Sequence, residues 1–577
     1  MSGQADNHER GRQALNVWQQ AISKNVYLAD PLLDHTVDFA LGKNSENLKA
    51  KLNLLGENIA SNIEPLVAEN DFRFNLPRAE IYNGIGELTN QISHHPNYEK
   101  VGDAIYGTGM MADLIQPGQL TQSLLLFYLT SHLGEAGHNC PVACTAGVIR
   151  ILSKINNFAE KDTLLKKLSV KNYQQNYTGA QFVTEVQGGS DVAQNVVRAE
   201  KQADGGWQIF GEKWFCSNAN ADVMLMTARY DKESSDTRGL GLFLVKRYKT
   251  DGTPNAIFIR RLKEKLGTRA MASAEIEFQG AEAFAMGAPE DGFKMLMQNV
   301  LHLSRIYNSF AILGAAQRAY QIARSYAKYR IAFSQPIENY PLVQERLADI
   351  RAENTAMLAS ALSTTKLQDE VDINASADSR QLLILRMRAN INKYYTATRS
   401  VEHIHHCIDV LAGNGAIETF SSLPRLLRDA IVYENWEGTH NTLRMQILRD
   451  IHRYDIGTIF IQHLIEKITA LEHSTDKQIV SWIVSINAEL VKLEQRLQNL
   501  KTANNEVQTL LVRDFIDELC ILDAIIHLVT EAEHQLQAQN NKDKLKLVHW
   551  LLIKNNVITE KKYSALWMKV MAEVINI

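Results

Sequence analysis

The spacing of apolar residues along the chain separates helical regions from β-prone ones. Over residues 16–171 the apolar positions recur at helical spacing, as in Leu124, Leu125 and Tyr128. This pattern predicts an all-helical first domain over residues 1–178.

The spacing of apolar residues changes near residue 177. Short apolar runs rich in β-formers follow one another, separated by Gly, Asp and Ser, at 182–184, 207–210, 223–226, 242–245 and 274–278. Their spacing is typical of an antiparallel barrel or sandwich. We therefore expect a β domain over residues 179–292, inserted between helical domains.

Helical periodicity returns after residue 292 and continues to the end of the chain. Long helices with few breaks predict an antiparallel bundle over residues 293–455 and a further helical domain over 456–577. In the last domain a set of apolar residues alternates spacings of three and four: Ile483, Ile486, Leu490, Leu493, Leu497 and Leu500. Because this seam is short, packing within a bundle is favoured over a dedicated coiled coil. The fold class is thus α+β and mostly helical.

Composition and charge narrow the function classes. A chain of 577 residues is too long for a single core and implies about three or four domains. With 45% hydrophobic and 22% charged residues, it is typical of soluble globular proteins. A formal net charge of −4 offers no general attraction for nucleic acid or an anionic membrane.

The cysteines and the N-terminus indicate a reducing compartment. Five scattered cysteines, an odd number, do not suggest a disulfide framework. Cys140 and Cys144 have metal-like spacing but no second pair, which favours buried thiols. The first residues fit neither a secretory signal nor a typical transit peptide, and the longest uncharged stretch, residues 114–134, is too polar to span a bilayer. We therefore expect a cytoplasmic protein without a transmembrane segment.

Two short segments carry candidate chemistry. In the first, Thr184 and Glu185 end a strand and are followed by Gly188-Gly189-Ser190, whose backbone N–H groups and hydroxyl can hold a phosphate. A simple β-turn with a serine cap is the alternative. In the second, Glu437 lies beside Trp436 and before a Gly-Thr pair. Its carboxylate is either a catalytic base or an acid that stabilises the start of the following helix.

Several segments together resemble the acyl-CoA dehydrogenase family of flavoproteins. Residues 182–192 resemble its Thr-Glu-x-x-x-Gly-Ser-Asp signature. The other similar segments follow in the family's order, at 210–218, 265–270, 330–333, 411–415 and 436–439. The resemblance covers about residues 100–455, and the ordered motifs make it specific. The N-terminal region and the Lys213-Trp214-Phe215 variant are most similar to the branch containing AidB, the bacterial alkylation-response flavoprotein.

The family resemblance implies both a fold and a reaction. The fold would have an N-terminal helical domain, a middle antiparallel β domain, a C-terminal four-helix bundle and, as in the AidB-like branch, an extra C-terminal helical domain. The reaction would be the α,β-dehydrogenation of an acyl-CoA thioester, with Glu437 abstracting the α-proton and the β-hydride passing to flavin N5 of FAD. Some relatives carry the base at the position of Ser304, which leaves Glu437 as the base here.

Further site residues are implied position by position. FAD contacts are implied at Phe182, Thr184, Gly189, Ser190, Phe215, Ser217, Arg330, Gln344, Asp409, Gly413, Thr439 and Asn441. Substrate contacts are implied at Ser190, Arg305, Gly438 and Arg449. Asp409 stands where the family has Gln, which puts that contact in doubt.

The resemblance also implies partners. Arg330 and Gln344 match positions that hold the FAD of a neighbouring subunit, so a homo-oligomer is expected, either a dimer or a dimer-of-dimers tetramer. The electron acceptor would be an electron-transfer flavoprotein.

Other functions remain as alternatives. The AidB-like branch has been linked to DNA through its C-terminal domain, but residues 455–577 hold 13 Lys and Arg against 16 Asp and Glu, a balance of −3 that disfavours duplex binding. A low-activity acyl-CoA-binding flavoprotein and an acyl-CoA oxidase stay open. The His403, His406 and Cys407 face of one helix lacks the carboxylate spacing of a known metal site, so no metal is expected.

Overall fold

The computed structural model describes residues 2–156, 158–374 and 377–577, with side chains from residue 9 onward. The chain forms two compact units. The barrel unit comprises Asn62–Asn308 and Trp436–Gly438, and the bundle unit comprises Met1–Ser61, Ser309–Asn435 and Thr439–Ile577.

The elements follow in chain order. Those before residue 62 are α1 (Ser2–Ala21), α2 (Pro31–Leu41) and α3 (Ser45–Asn58). The next are α4 (Glu64–Asn70), β1 (Arg78–Tyr82), β2 (Leu88–Ser93), α5 (Pro96–Tyr106), α6 (Met110–Asp113), α7 (Leu120–Thr130), α8 (Ala136–Lys154), α9 (Lys161–Leu168), β3 (Gly179–Phe182), β4 (Arg198–Lys201), β5 (Trp207–Ser217), β6 (Val223–Arg229), β7 (Leu240–Lys246), β8 (Ile257–Leu262), β9 (Ser273–Ala285) and α10 (Gly292–Met295). The remainder are α11 (His302–Tyr329), β10 (Ile331–Ala332), β11 (Gln335–Pro336), α12 (Pro341–Ile373), α13 (Ser379–Leu411), α14 (Leu423–Asn435), α15 (His440–Tyr454), α16 (Ile456–Thr469), α17 (Lys477–Thr502), α18 (Asn505–Gln539), α19 (Asp543–Lys554) and α20 (Ala565–Ile575).

The strands β3–β9 form a barrel. Pairing runs from β6 through β4, β5, β9 and β7 back to β6, while β3 pairs with β6 and β8 with β9. Closure leaves few exposed strand edges. The predicted β domain is therefore present, and the predicted runs fall in or next to its strands. Most pairings are antiparallel, but β3–β6 and β4–β6 are parallel.

The barrel encloses an apolar core. Phe182, Met224, Phe243, Ile276 and Phe278 are all buried there. Alternate residues of a strand point into this core, as Met224, Met226 and Ala228 do on β6, and a one-residue shift in register would turn them to the other face of the sheet. The β5–β9 ladder shifts register at two places along β5, and such bulges redirect the side chains beside them.

The prediction of an all-helical first domain is wrong. β1 and β2 pair as an antiparallel hairpin within residues 78–93. Its turn is closed by the Asn83 N–H donating to the Glu87 carbonyl, and Gly86 adopts a positive φ of 82° there. Ala79 and Ile81, two residues apart, pack against the barrel core. Buried and exposed residues thus alternate along the hairpin, as in a half-buried strand. The helical interpretation of this region overlooked that alternation.

The bundle unit is built around α12 and α13. α13 begins with a capping box: Asp378 accepts from the Gln381 N–H and the Gln381 side chain accepts from the Asp378 N–H. α12 is surrounded by other helices and buries polar side chains on several faces. These include Arg351, Glu353, Asn354, Thr355, Ser360, Thr364, Thr365, Gln368 and Asp369. Hydrophobic periodicity therefore does not identify one inward face of this helix.

The C-terminal helices α16–α20 pack within the bundle unit. The apolar seam of α17 is buried as predicted, at Ile483, Ile486, Leu490, Leu493, Leu497 and Leu500. The Ser360 hydroxyl of α12 donates to Asp523 of α18, so these helices share an interior with the bundle instead of forming a separate compact unit. Of the helices that the structure describes, none is long and apolar enough to cross a membrane.

Candidate functional site

The loop that carries Glu437 has a strained backbone. It spans the residues between the end of α14 at Asn435 and the start of α15 at His440. Glu437 adopts a φ of 59° and Gly438 a φ of 107°. A left-handed conformation costs a glutamate on the order of 1 kcal/mol or more, and such strain concentrates at functional sites.

Arg305 holds this loop. Its Nε donates a hydrogen bond to the Glu437 carbonyl oxygen at 3.0 Å, and the Arg305 side chain is buried near the start of α11. A charged donor with a fixed plane gives a strong and directional bond. Arg305, predicted as a substrate contact, therefore also positions the candidate base, and the substrate contact stays a prediction.

Thr439, and not Glu437, caps helix α15. The Thr439 side chain accepts from the Thr442 N–H, which is the usual N-cap arrangement. The alternative role considered for Glu437, that of an acid capping the helix, is thus filled by Thr439. Glu437 lies in the turn before the cap.

The three sequence motifs on the barrel unit adjoin one another. The Trp214 N–H donates to the Thr184 carbonyl at 2.9 Å, which joins the first motif to the second. Lys265 of the third motif donates to the Ser273 hydroxyl at 2.9 Å, and that hydroxyl lies 3.4 Å from the Ser217 hydroxyl. Segments far apart in sequence therefore share one surface of the barrel.

A buried ion pair lies beneath the Thr184 loop, and sequence reasoning did not assign it. Lys213 Nζ lies 2.7 Å from Glu185 Oε1, and both side chains are almost fully buried. Burial lowers the pKa of Lys213, and the Glu185 carboxylate opposes that shift. The second carboxylate oxygen of Glu185 accepts from the Val196 and Val197 N–H groups. The only indication in the sequence was that both residues lie within segments that resemble the family.

The two glycines of the loop have different roles. A Cβ on Gly188 would lie 2.0 Å from Asn195 Oδ1, so any larger residue there would force the Asn195 side chain to move. Asn195 in turn donates from Nδ2 to the Val183 carbonyl at 2.7 Å. A Cβ on Gly189 would make only an ordinary contact with Thr184 Cγ2, at 3.8 Å, and Gly189 is exposed, as is Ser190. The backbone beyond Gly188 is therefore the part of the loop that a ligand can approach.

The two phenylalanines predicted as FAD contacts differ in exposure. The Phe182 side chain is buried in the barrel core, so only its backbone is accessible to a cofactor. Phe215 is 51% exposed and lies where the β5 register shifts, between Lys213 and Cys216. The shift turns the Phe215 ring toward solvent beside the Thr184 and Ser217 segments.

Other predicted FAD contacts lie on the bundle unit, around the β10–β11 hairpin. Arg330 is exposed immediately before β10, and its carbonyl accepts from the Ile337 N–H across the hairpin. Phe333 at the tip has a φ of 50° and is 93% exposed. The Tyr340 hydroxyl donates to the backbone of this tip, and Gln344 follows in the first turn of α12.

Asp409 and Gly413 lie at the C-terminal end of α13. Both are exposed, and Gly413 has open space where a Cβ would be. The left-handed residue of this turn is Ala412, with a φ of 51°. Glycine is required instead at Gly415, where a Cβ would meet the Ile408 carbonyl at 2.4 Å. The FAD contact at Asp409 stays a prediction.

Thr439, Asn441 and Arg449 lie on or beside α15, and all three are exposed. The Asn441 side-chain oxygen accepts from Arg444 Nη1 at 2.9 Å. Arg449 faces solvent five residues beyond Arg444. Its assignment as a substrate contact stays a prediction.

Ser304, the position at which some relatives have their base, takes part in a polar chain. Its hydroxyl donates to Gln181 Oε1 at 3.2 Å, and Gln181 Nε2 donates to the Cys144 carbonyl at 3.2 Å. A hydrogen bond with Cys140 and burial raise the pKa of Cys144 well above its usual range, and the Glu437 carboxylate adds to the shift. The Glu437 carboxylate is thus near enough to α8 to interact with its thiol.

Both ring nitrogens of His403 lie within hydrogen-bonding distance of other side chains. Its Nδ1 lies 2.8 Å from Asn354 Oδ1 and its Nε2 lies 3.0 Å from Glu353 Oε2. Among the described residues, no group of three or more His, Cys, Asp or Glu side chains is placed to hold a metal ion. The structure describes all five cysteines as free thiols.

Three family models match the chain over most of its length. The model of the adaptive response protein AidB N-terminal domain matches residues 16–175. The model of the acyl-CoA dehydrogenase middle domain matches residues 180–281, and that of the acyl-CoA dehydrogenase C-terminal domain matches residues 290–452.

Individual proteins show the same relationship. The chain is 28% identical over 500 residues to acyl-CoA dehydrogenase family member 11 of Caenorhabditis elegans, covering 84% of this chain and 79% of that protein. It is 27% identical over 458 residues to the putative acyl-CoA dehydrogenase AidB of Escherichia coli K12, covering 76% and 81%. The fold matches Caenorhabditis elegans ACDH-11, solved in complex with C11-CoA, with a TM-score of 0.84, 24% identity and coverage of 93% and 92%. The chain belongs to the acyl-CoA dehydrogenase family of FAD-dependent oxidoreductases, and within it to the AidB-like branch.

Proposed function

We propose that the protein is an FAD-dependent acyl-CoA dehydrogenase in which Glu437 is the catalytic base. The observation that carries this proposal is the left-handed Glu437 backbone, fastened through its carbonyl by the buried Arg305. Because Thr439 caps α15, capping of this helix does not account for the backbone strain at Glu437, and such strain is typical of a group held for chemistry.

The chemistry of the barrel unit's donor set fits FAD. The Thr184 and Ser217 hydroxyls can meet the polar edge of a flavin, and the exposed Gly189-Ser190 backbone and hydroxyl suit a pyrophosphate. The half-exposed Phe215 ring offers an aromatic face beside these groups. The Lys213–Glu185 pair would keep this loop in place before the cofactor binds.

In this proposal Glu437 removes the proton on the carbon α to the thioester. A base must lie within about 3 Å of that proton's carbon, and the developing charge on the thioester oxygen needs a donor. The Glu437 backbone N–H is the donor that the family resemblance implies, so Arg305 would orient the base and the donor together. FAD, when bound, supplies the acceptor for the β-hydride.

The substrate class proposed is an acyl-CoA. ACDH-11, which has the same fold, was solved with C11-CoA. The residues expected on the substrate side here are Ser190, Arg305, Gly438 and Arg449. The acyl chain length is a matter for titration. We further propose an electron-transfer flavoprotein as the acceptor of the electrons.

We also propose that the active protein is a homo-oligomer, a dimer or a dimer-of-dimers tetramer. Phe333 is 93%, Leu342 81% and Ile331 63% exposed, which is unusual for a cluster of large apolar side chains around one hairpin. A second copy that covers this hairpin would bring Arg330 and Gln344 to a neighbour's FAD. Phe333→Asp should shift the protein to a smaller species by light scattering and weaken FAD retention. A smaller species with unchanged FAD retention would contradict the shared site.

An anaerobic titration tests the dehydrogenase proposal. Acyl-CoAs of increasing length are added to the yellow protein while the oxidised flavin absorbance is followed. At least one length should bleach wild type, whereas Glu437→Gln should bleach about 100-fold or more slowly. Glu418→Gln, an exposed carboxylate beside Arg428, is the matched control and should bleach like wild type. If no thioester bleaches wild type, or Glu437→Gln bleaches equally fast, the proposal fails.

A further inference from the structure

The helix that follows the Glu437 loop is fastened to the C-terminal region of the chain. Arg444 of α15 donates from Nη2 to the Tyr394 hydroxyl of α13 at 2.5 Å. That hydroxyl donates to Asp517 Oδ1 of α18, also at 2.5 Å. The guanidinium lies over the Tyr394 ring, 4.9 Å from its centroid. Residues of three helices thus form one continuous chain of hydrogen bonds within the bundle unit.

The far end of this chain is Asn441. Arg444 Nη1 donates to Asn441 Oδ1 at 2.9 Å. Because a guanidinium has only donors, the side-chain oxygen of Asn441 must face Arg444. The Asn441 NH₂ group is then directed away from Arg444 as a donor, on an exposed residue at the start of α15.

The direction of each bond is determined by the groups themselves. Burial and then the Asp517 carboxylate raise the pKa of Tyr394 well above its usual range, and Arg444 opposes the shift. Tyr394 therefore keeps its proton and donates it to Asp517, which leaves the hydroxyl oxygen to accept from Arg444. Tyr394 is 2% exposed, so water competes little for these bonds.

A second connection holds the other end of α15. His452 Nε2 lies 2.8 Å from Gln508 Oε1 of α18, and Lys501 of α17 pairs with Asp455 just after α15 ends. The C-terminal helices are therefore linked to α15 near both ends, through Tyr394 of α13 at its start and directly at its end. A helix fixed in this way cannot rotate about its axis without breaking bonds at one end.

We propose that Asp517, Tyr394 and Arg444 form a positioning relay that orients the Asn441 amide so that its NH₂ group donates to an acceptor atom of FAD. This rests on the proposed function, since it requires FAD beside Asn441. It gives the C-terminal helix α18, which carries Asp517, a role in cofactor binding rather than in binding a separate partner. None of the three relay residues needs to touch the reacting atoms.

A double-mutant cycle on the full-length protein tests the relay. FAD affinity is measured by flavin fluorescence for Tyr394→Phe and Asp517→Asn, each alone and combined with Asn441→Ala. Each relay variant alone should weaken FAD binding about 5- to 30-fold, and in the Asn441→Ala background each should add less than about twofold. Asp514→Asn, which alters an exposed carboxylate one turn earlier on α18, is the control and should stay within about twofold of wild type.

A further variant distinguishes orientation from general stability. Asn441→Asp would keep the contact with Arg444 but replace the NH₂ donor by an acceptor, so it should weaken FAD binding at least as much as Asn441→Ala. Relay variants that bind FAD like wild type, or that weaken it equally in both Asn441 backgrounds, would overturn the relay. Wild type that binds FAD but is bleached by no thioester would overturn only the dehydrogenase proposal, because the affinity cycle can still be measured.

Discussion

The barrel unit and the bundle unit both bury ion pairs, but these pairs have different structural consequences. In the barrel unit, Lys213 and Glu185 are 28 residues apart and lie directly beneath the loop that carries Gly189 and Ser190. In the bundle unit, two of the buried pairs, Arg351–Asp30 and Arg388–Asp523, join residues 321 and 135 positions apart. The first pair shapes a ligand loop, whereas the others tie distant helices together.

This difference shows what a buried charge contributes in each place. Taking two charges out of water costs about as much as their attraction returns, so such pairs add little net stability, but losing one partner is costly. In the barrel unit the directional bonds of Glu185 fix one loop conformation. In the bundle unit, where α12 has polar residues on several buried faces, the pairs specify which helices meet.

The largest effect is expected from breaking one pair in each unit. Lys213→Met and Arg351→Met each leave a buried carboxylate without its cation and should lower the free energy of unfolding by about 3–5 kcal/mol. Only Lys213→Met should also reduce the FAD affinity of the folded protein, because Glu185 holds the Thr184–Ser190 loop. Chemical denaturation and flavin fluorescence measure the two quantities separately.

The distinction between the two units would be wrong if Lys213→Met and Arg351→Met changed the FAD affinity equally. Equal loss of FAD affinity would mean that both pairs act through general stability. Unchanged affinity in Lys213→Met would mean that the loop does not depend on the buried pair.

A smaller effect is expected from Gly188→Ala. The new methyl group would meet Asn195 Oδ1 and displace the side chain that bonds the Val183 carbonyl, at a cost of about 1–3 kcal/mol. Gly84→Ala, which adds a methyl group into open space in the hairpin turn, should change stability by less than about 0.5 kcal/mol. Thermal unfolding compares them, and equal shifts would show that the Gly188 contact relaxes freely.

The two units should both lose stability in acid. Burial lowers the pKa of His94 in the barrel unit to about 4, and burial with the nearby Arg388 and Lys467 lowers the pKa of His463 in the bundle unit to about 4. Between about pH 4 and 6.5 the unfolded chain binds protons that these folded-state imidazoles do not. The free energy of unfolding should therefore fall by about 1.4 kcal/mol per histidine for each pH unit below 6.5.

Denaturation at pH 7.5 and pH 5.5 measures this loss. His463→Gln should reduce the pH dependence by about one histidine's share. If the variant has the same slope as wild type, His463 does not carry the proton linkage assigned to it.

The smallest effect is expected at an exposed pair. Arg496 and Glu518 join α17 to α18 at the surface, and such pairs are worth less than about 1 kcal/mol. Arg496→Ala should lower the free energy of unfolding by about 0.5 kcal/mol or less. A loss approaching that of Arg351→Met would show that burial does not separate the two kinds of pair.

The sequence predicted the fold class and the barrel strands because their signals are local. The runs that became β5, β6, β7 and β9 are apolar enough to stand out, and the mostly helical α+β class with extra C-terminal helices is confirmed. The β1–β2 hairpin was missed because its strands are half-exposed and short. Its Asn-Gly turn at Asn83 was the available signal.

The parts of the site that sequence could not predict depend on distant partners. Glu437 was identified through its motif, but its left-handed backbone and its bond from Arg305, 132 residues away, are tertiary features. Tyr394 and Asp517, 123 residues apart, carry no local pattern that would pair them. Hydrophobic periodicity reports which face of a helix is buried, and it does not report which polar groups meet inside.

The most direct test of the central claim, that Glu437 removes the α-proton, is hydrogen exchange at the α-carbon. An acyl-CoA analogue with sulfur in place of the β-carbon can lose its α-proton but has no β-hydride to transfer, so exchange with D₂O isolates the proton step. Mass spectrometry of the analogue should show deuterium uptake with wild type and with Glu418→Gln, and uptake about 100-fold or more slower with Glu437→Gln. Uptake at the wild-type rate with Glu437→Gln would show that another group is the base.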